Sequence, residues 1–131
     1  MRTSPRRGAA AIEFALCASA LFGILFATLD WGWWFYRRAQ VLQATGEATR
    51  QAATLPQSSD PASTASAYVI ENLEAQGIST TAVCITATQS GTSPSEVLEV
   101  SVSLPFEPLL GLWPAPSTLS AVRSTYLERQ D

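Results

Sequence analysis

The chain contains no lysine and no histidine; its cations are eight arginines. Without those two residue types it cannot build a Ser-His-Asp or Cys-His nucleophile, a Ser-Lys dyad or a Schiff-base lysine. The remaining acids form no convincing catalytic dyad, so no enzyme is predicted. Cysteine is nearly as scarce: Cys17 lies in an apolar run and Cys84 far downstream. No cluster of Cys, His or carboxylate residues has metal-ligand spacing, so no metal site, cofactor or intrachain disulfide is predicted. Cys17 reads as a small apolar helix residue and Cys84 as a buried strand residue, with an intersubunit bridge through Cys84 as the alternative. Positive charge is scarce beyond the first seven residues. Once Arg2, Arg6 and Arg7 are set aside, five Arg face eleven acidic residues, a net −6. That surface is a poor match for phosphate backbones, and nucleic-acid binding is disfavoured.

What is present begins with a membrane-length segment. ALCASALFGILFATL, residues 15–29, is uncharged and covers about 22 Å as a helix, short of a ~30 Å hydrocarbon core. Extending it through DWGWWFY to Tyr36 brings it to about 33 Å, enough to span. The basic leader before the run places the N-terminus in the cytoplasm, opposed by Arg37 and Arg38 at the far end, where snorkelling cations occur at either interface. At 100° per residue, Trp31, Trp33, Trp34, Phe35 and Tyr36 point to about 0°, 200°, 300°, 40° and 140°. They encircle the helix, as residues at a membrane–water boundary do. A secretory signal cut near Ala20 is the competing reading, through Ala18-Ser19-Ala20. It would leave a secreted or membrane-tethered binding domain beginning with the apolar LFGILFATL. Glu13 is the anomaly: an acid at the centre of a spanning helix costs roughly 2.5–3.5 kcal/mol.

Beyond the span, QVLQATGEATRQAATL continues as helix, with Val41, Ala44/Thr45, Ala48, Ala52 and Leu55 at helical spacing. The stripe is built of small residues, which predicts close packing, and Gly46 fits the same close approach. Pro56 ends the helix and PQSSDP is a linker. Asp60-Pro61 reads as N-cap and first helical residue, and Gly77 as the stop of a second helix, 61–76, burying Ala65, Tyr68/Val69 and Leu73. The period then falls to two. Strands are predicted over 78–88, over VLEVSVSLPF (with Leu98, Val100, Val102, Leu104 and Phe106 on one face) and over STLSAVRSTYLE. SGTSP is the turn between the first two, and LLGLWPAP a loop between the last two. The fold class is α+β: a long N-terminal transmembrane and amphipathic helix, a second short helix and a small, mainly antiparallel three-stranded sheet. A domain of residues 56–131 alone would be marginal, so the first helix is expected to complete its core.

The order of a basic leader, Gly8, four residues, Glu13-Phe14, an apolar helix running into an amphipathic one and a small sheet resembles the type IV pilin-like proteins of the tight-adherence class. RRGAAAIEFAL is most similar to the start of the TadE-like minor pseudopilins, and DWGWWFY, GEATRQAA, VSVSLPFEPLLGL and LSAVRSTYLE extend the likeness. The resemblance implies a prepilin leader (1–8), a transmembrane helix (9–36), its amphipathic continuation (37–55) and a small extracytoplasmic α+β domain (56–131). It implies a structural subunit that initiates or caps a thin adhesive pilus. A prepilin peptidase would cut between Gly8 and Ala9, leaving Ala9, Glu13 and Phe14 to dock neighbouring subunits. Trp31, Trp33, Trp34, Tyr36, Arg37 and Arg38 would mark the membrane interface. Expected partners are the peptidase, major pilin and sibling minor pseudopilins, the inner-membrane assembly platform and the bilayer. Expected localisation is the inner membrane, single-pass, N-terminus cytoplasmic and C-terminal domain periplasmic, and the cell surface once assembled. Ala9 stands where other type IV pilin classes have phenylalanine, so N-methylation is not implied. Trp31 and Trp33 stand where the family more often has Phe and Arg.

Overall fold

The computed structural model describes residues 6–55, 60–92, 95–111 and 114–127. Met1–Pro5, including Arg2, lie outside them, as do most of the PQSSDP linker, the end of the SGTSP turn and Glu128. Five elements follow in order: α1 (Arg6–Ala53), α2 (Pro61–Ala75), β1 (Cys84–Ser90), β2 (Val97–Pro105) and β3 (Thr118–Tyr126). The strands form one antiparallel sheet in the order β1-β2-β3. The fold is α+β, as the periodicity predicts.

α1 is two different helices in one. Among the described residues, nothing N-terminal to Asp30 is buried, and Ile12, Phe14, Leu16 and Leu21 are each about two-thirds exposed or more (65%, 75%, 68% and 66%). From Val41 onward the small stripe Val41, Ala44, Thr45, Ala48, Thr49 and Ala52 is buried. The two threonines are tolerated because each hydroxyl donates back to a carbonyl four residues earlier, Thr45 to Val41 (2.7 Å) and Thr49 to Thr45 (2.6 Å). Against this stripe lie Leu98, Val100, Val102 and Leu104 of β2, Leu119 and Ala121 of β3, and Ala65, Val69 and Leu73 of α2. The second half of α1 is therefore the floor of the globular core, and the sheet could not be dried without it. Thr49 belongs to the stripe although sequence periodicity does not single it out; Leu55 and Tyr68 are half-buried at its margins.

α2 starts and stops on local chemistry. The Asp60 carboxylate accepts from the Ala62 and Ser63 amides (3.1 and 3.5 Å), and Pro61 supplies the first helical φ. At its end Gly77 takes φ +69°, the Gly77 amide donates to the Glu74 carbonyl and the Ile78 amide to that of Leu73, both at 2.9 Å. This is a Schellman motif, closed by the buried contact of Ile78 with the core that holds Leu73.

That cap corrects the first strand, which is predicted from Ile78 but begins at Cys84. Ile78 is consumed by the helix stop, and 79–83 make a turn held by Val83 N–H to Thr80 carbonyl (3.2 Å) and by the Thr80 hydroxyl donating to Glu74 (2.9 Å). Cys84 is also corrected: it is exposed, because Val83, Ile85 and Ala87 take the inward positions and alternation turns Cys84 out. The β1–β2 connection needs glycine. Gly91 has φ +100°, and a Cβ there would lie 2.5 Å from the Ser95 carbonyl oxygen.

β3 runs alongside α1 in the same direction. Leu119 lines a groove with Trp33 and Arg37 of α1, whereas Arg123, four residues on, lies over Gly46. The β2–β3 connection consequently hangs from the end of the sheet nearer the bare half of α1. Its neck is closed by the Phe106 amide donating to the Ser117 carbonyl (2.9 Å).

Candidate functional site

Three groups of residues on α1 carry the candidate functions, at three heights. The lowest is Gly8, Ala9, Glu13 and Phe14. All four are exposed, and the helix already includes Gly8 and Ala9. Ala9 and Glu13 are four residues apart and so lie on one face, one turn from each other. Glu13 has no hydrogen bond or ion pair among the described residues, where the one ion pair is Arg50–Glu47 (2.9 Å), higher up the helix. There Gln51 first, and Arg50 second, hold the Glu47 carboxyl below its ordinary range. A Cβ on Gly8 would meet nothing within 4 Å, so packing does not explain the glycine.

Above these residues one face of the bare helix forms a shallow apolar groove, with Ser19, Gly23, Ala27 and Gly32 on its floor and Ile24 and Phe35 on its walls. The Ser19 and nearby Thr28 hydroxyls are turned inward to the Ala15 and Ile24 carbonyls (both 2.8 Å), which leaves the groove apolar. Small residues at this spacing let another helix backbone approach closely.

The aromatic group is the third. Trp31, Phe35 and Tyr36 are exposed, while Trp33 and Trp34 are half-buried against the core. The ring is therefore divided between two environments. The rings contact one another closely, Trp33–Tyr36 at 5.6 Å and Trp34–Phe35 at 5.0 Å between centroids. Arg37 lies over the Trp33 ring (4.6 Å) and Arg38 over that of Trp34 (5.1 Å), so each cation is held beside an indole on the same helix.

Sequence reasoning missed Asp30. It is fully buried, and one carboxylate oxygen, Oδ1, accepts the backbone amide of Leu110 at 2.8 Å, across eighty positions of sequence. The other, Oδ2, is buried with no partner, as is the indole Nε1 of Trp34 one turn on. The signal was available: an acid set in an apolar run draws notice at Glu13, and Asp30 stands in the same helix.

Residues 8–50 match the family model described as TadE-like protein. That segment is TadE-like. The TadE-like match begins at Gly8, takes in Glu13, Asp30 and the aromatic cluster, and ends within the core stripe of α1. It supports the resemblance seen in RRGAAAIEFAL, DWGWWFY and the start of GEATRQAA; VSVSLPFEPLLGL and LSAVRSTYLE lie beyond it. No curated protein and no solved structure matches the chain. The TadE-like segment lies on a helix that is long and apolar enough, by length and composition, to cross a membrane.

Proposed function

We propose that this chain is a non-enzymatic minor subunit of a thin adhesive pilus, one that initiates or caps its assembly. The observation that carries the reading is a coincidence in α1: the TadE-like match falls on a helix whose first half is bare, apolar and unpaired. In this proposal residues 1–8 are a leader, 9–36 cross the inner membrane, 37–55 continue the helix and 56–131 form the periplasmic domain. The same bare surface weighs against a signal cut near Ala20. Such a cut would leave Leu21, Phe22, Ile24 and Leu25, between 48% and 67% exposed, as the start of a released protein.

The chemistry of docking follows from the helix. Cleavage after Gly8 by a prepilin peptidase creates an ammonium at Ala9, one turn from Glu13. In lipid neither charge is stable alone, and Glu13 can pair with its own amine or with that of a neighbouring major or minor pilin. At 4 Å and an effective dielectric near 20, the gross Coulomb attraction is about 4 kcal/mol, comparable to the roughly 3 kcal/mol of inserting the acid. Phe14 and the groove over Ser19, Gly23 and Ala27 supply apolar surface for the same contact. The scissile junction is helical here, yet it lies in the first turn, whose amides have no intrahelical acceptor, and glycine lowers helix stability by about 1 kcal/mol. Local unwinding for the peptidase is cheap.

The mature N-terminus tests the reading. It should be Ala9, and Gly8→Val should leave an uncut membrane protein. Because a side chain at Gly8 meets open space, a failure of processing would report on the peptidase and not on misfolding. A mature chain starting at Leu21 would replace this proposal with that of a released or tethered binding domain.

A further inference from the structure

We propose that the β2–β3 loop is a second membrane contact, a monotopic foot in which Leu109 and Leu110 enter the lipid interface beside α1. The inference rests on α1 being a membrane anchor. Its own observations are the loop's height, its composition and the buried tether. Leu110 is held by its amide to Asp30, so it lies at the height of that residue. Arg37 and Arg38 are seven and eight positions further along the helix, about 10–12 Å higher. Their guanidinium groups reach back over the rings of Trp33 and Trp34, three and four positions beyond Asp30, so when they lie at the phosphates Leu110 is about 5 Å deeper, within the interfacial layer where such segments bury their apolar faces. A second contact brackets the height of the neighbouring leucine: Pro108 and Leu109 line one groove with Trp33 and Arg37, three and seven positions beyond Asp30.

Composition supports the same occupant. Leu109 is 58% and Leu110 42% exposed, on the face of α1 that carries Asp30, Trp33 and Arg37. The charged residue of the loop, Glu107, is exposed and lines the groove with Pro108, Leu109 and Arg37. A lipid surface fits two adjacent exposed leucines at this depth, flanked by prolines 108 and 114 and backed by an interfacial aromatic cluster. The tether explains Asp30. An acid at this height would face acyl chains if the helix were bare; the fold buries it completely, and the loop gives one oxygen a donor. Asp30 is thus a positioning residue. It fixes the loop against the helix, and through it the roll of the sheet relative to the membrane.

The test uses the full chain in vesicles of phosphatidylcholine with one-quarter phosphatidylglycerol, at one protein or fewer per vesicle. Cys17→Ala and Cys84→Ser provide the background for single cysteines at Leu109, Phe22 and Ser90, each carrying an environment-sensitive fluorophore. Nitroxide lipids labelled at carbon 5 or carbon 12 of the acyl chain serve as quenchers. Leu109→Cys should be quenched severalfold more by the carbon-5 lipid than by the carbon-12 lipid. Phe22→Cys should be quenched by both, and Ser90→Cys, at the far end of the sheet, by neither. Adding Asp30→Ala should remove quenching at position 109 and leave position 22 unchanged. A position-109 label that behaves like position 90 while position 22 is quenched overturns the foot and spares the anchor. Loss of quenching at position 22 as well overturns both. Blue-shifted emission at 109 without lipid quenching overturns the lipid reading in favour of a protein contact.

Discussion

Replacing Asp30 with alanine should free the β2–β3 loop while leaving the sheet intact. The Asp30 carboxylate is fully buried and accepts the Leu110 amide at 2.8 Å. A hydrogen bond to a charged partner contributes about 1.5–3 kcal/mol. Since 1.4 kcal/mol is a factor of ten, Leu110 amide exchange should accelerate roughly 10- to 150-fold. Global stability should fall by less, because the substitution also removes Oδ2, a buried oxygen with no partner, and returns part of its desolvation cost. Asp30→Asn keeps a neutral acceptor, worth about 0.5–1.5 kcal/mol, and should fall between the two. The assay is residue-resolved hydrogen exchange on the full chain in detergent or nanodiscs. The amides of Val100 and Val102, in the central strand, are the internal reference. Equal Leu110 exchange in Asp30→Ala and the parent would refute the tether. A collapse of protection at Val100 would show instead that Asp30 supports the whole domain.

Glu13→Ala should insert and be cut after Gly8 at normal levels, since removing an acid from lipid eases insertion, yet co-purification with major pilin and surface fibres should fall sharply. Wild-type fibre numbers would mean that the carboxylate only snorkels. Gly46→Ala should stabilise the domain by up to about 1 kcal/mol in denaturant melts, because a Cβ there meets Arg123 Nε at 3.8 Å, an ordinary contact, and alanine favours helix. A loss of stability would show that the close approach of β3 requires glycine after all. Leu73→Ala should cost about 2–5 kcal/mol, since it opens a cavity at the meeting of α2, α1 and the sheet. Cys84 should react with a membrane-impermeant maleimide in intact spheroplasts without denaturant, and a silent thiol would contradict its exposed position or the topology.

The individual elements were legible because each rests on short-range chemistry. An uncharged run of helix length, the Asp60-Pro61 start of α2 and the alternation of Leu98, Val100, Val102 and Leu104 are all local patterns, and the structure places each where it is expected. Local competition spoiled one boundary. Ile78 can serve as a strand residue or as the cap of α2, and two backbone hydrogen bonds with a buried contact decide for the cap. Cys84 was misread through the same error, since alternation counted from Val83 turns it outward.

The amino-acid sequence alone determined where the chain is apolar, where it is basic and where its helices start and stop, because those properties depend on neighbours within a few residues. It also carried the motif around Gly8 and Glu13, which is short and contiguous. What tertiary structure alone decided is which parts of α1 meet protein and which stay bare, and that Trp33 and Trp34 turn to the core while Trp31 and Phe35 do not. The pairing of Asp30 with Leu110 belongs to the same class. Its partners are eighty positions apart, and the acceptor meets a backbone amide, which every residue except proline possesses. No side-chain pattern marks such a bond in advance; folding β3 alongside α1 brings the loop down to that acid and closes it over the charge.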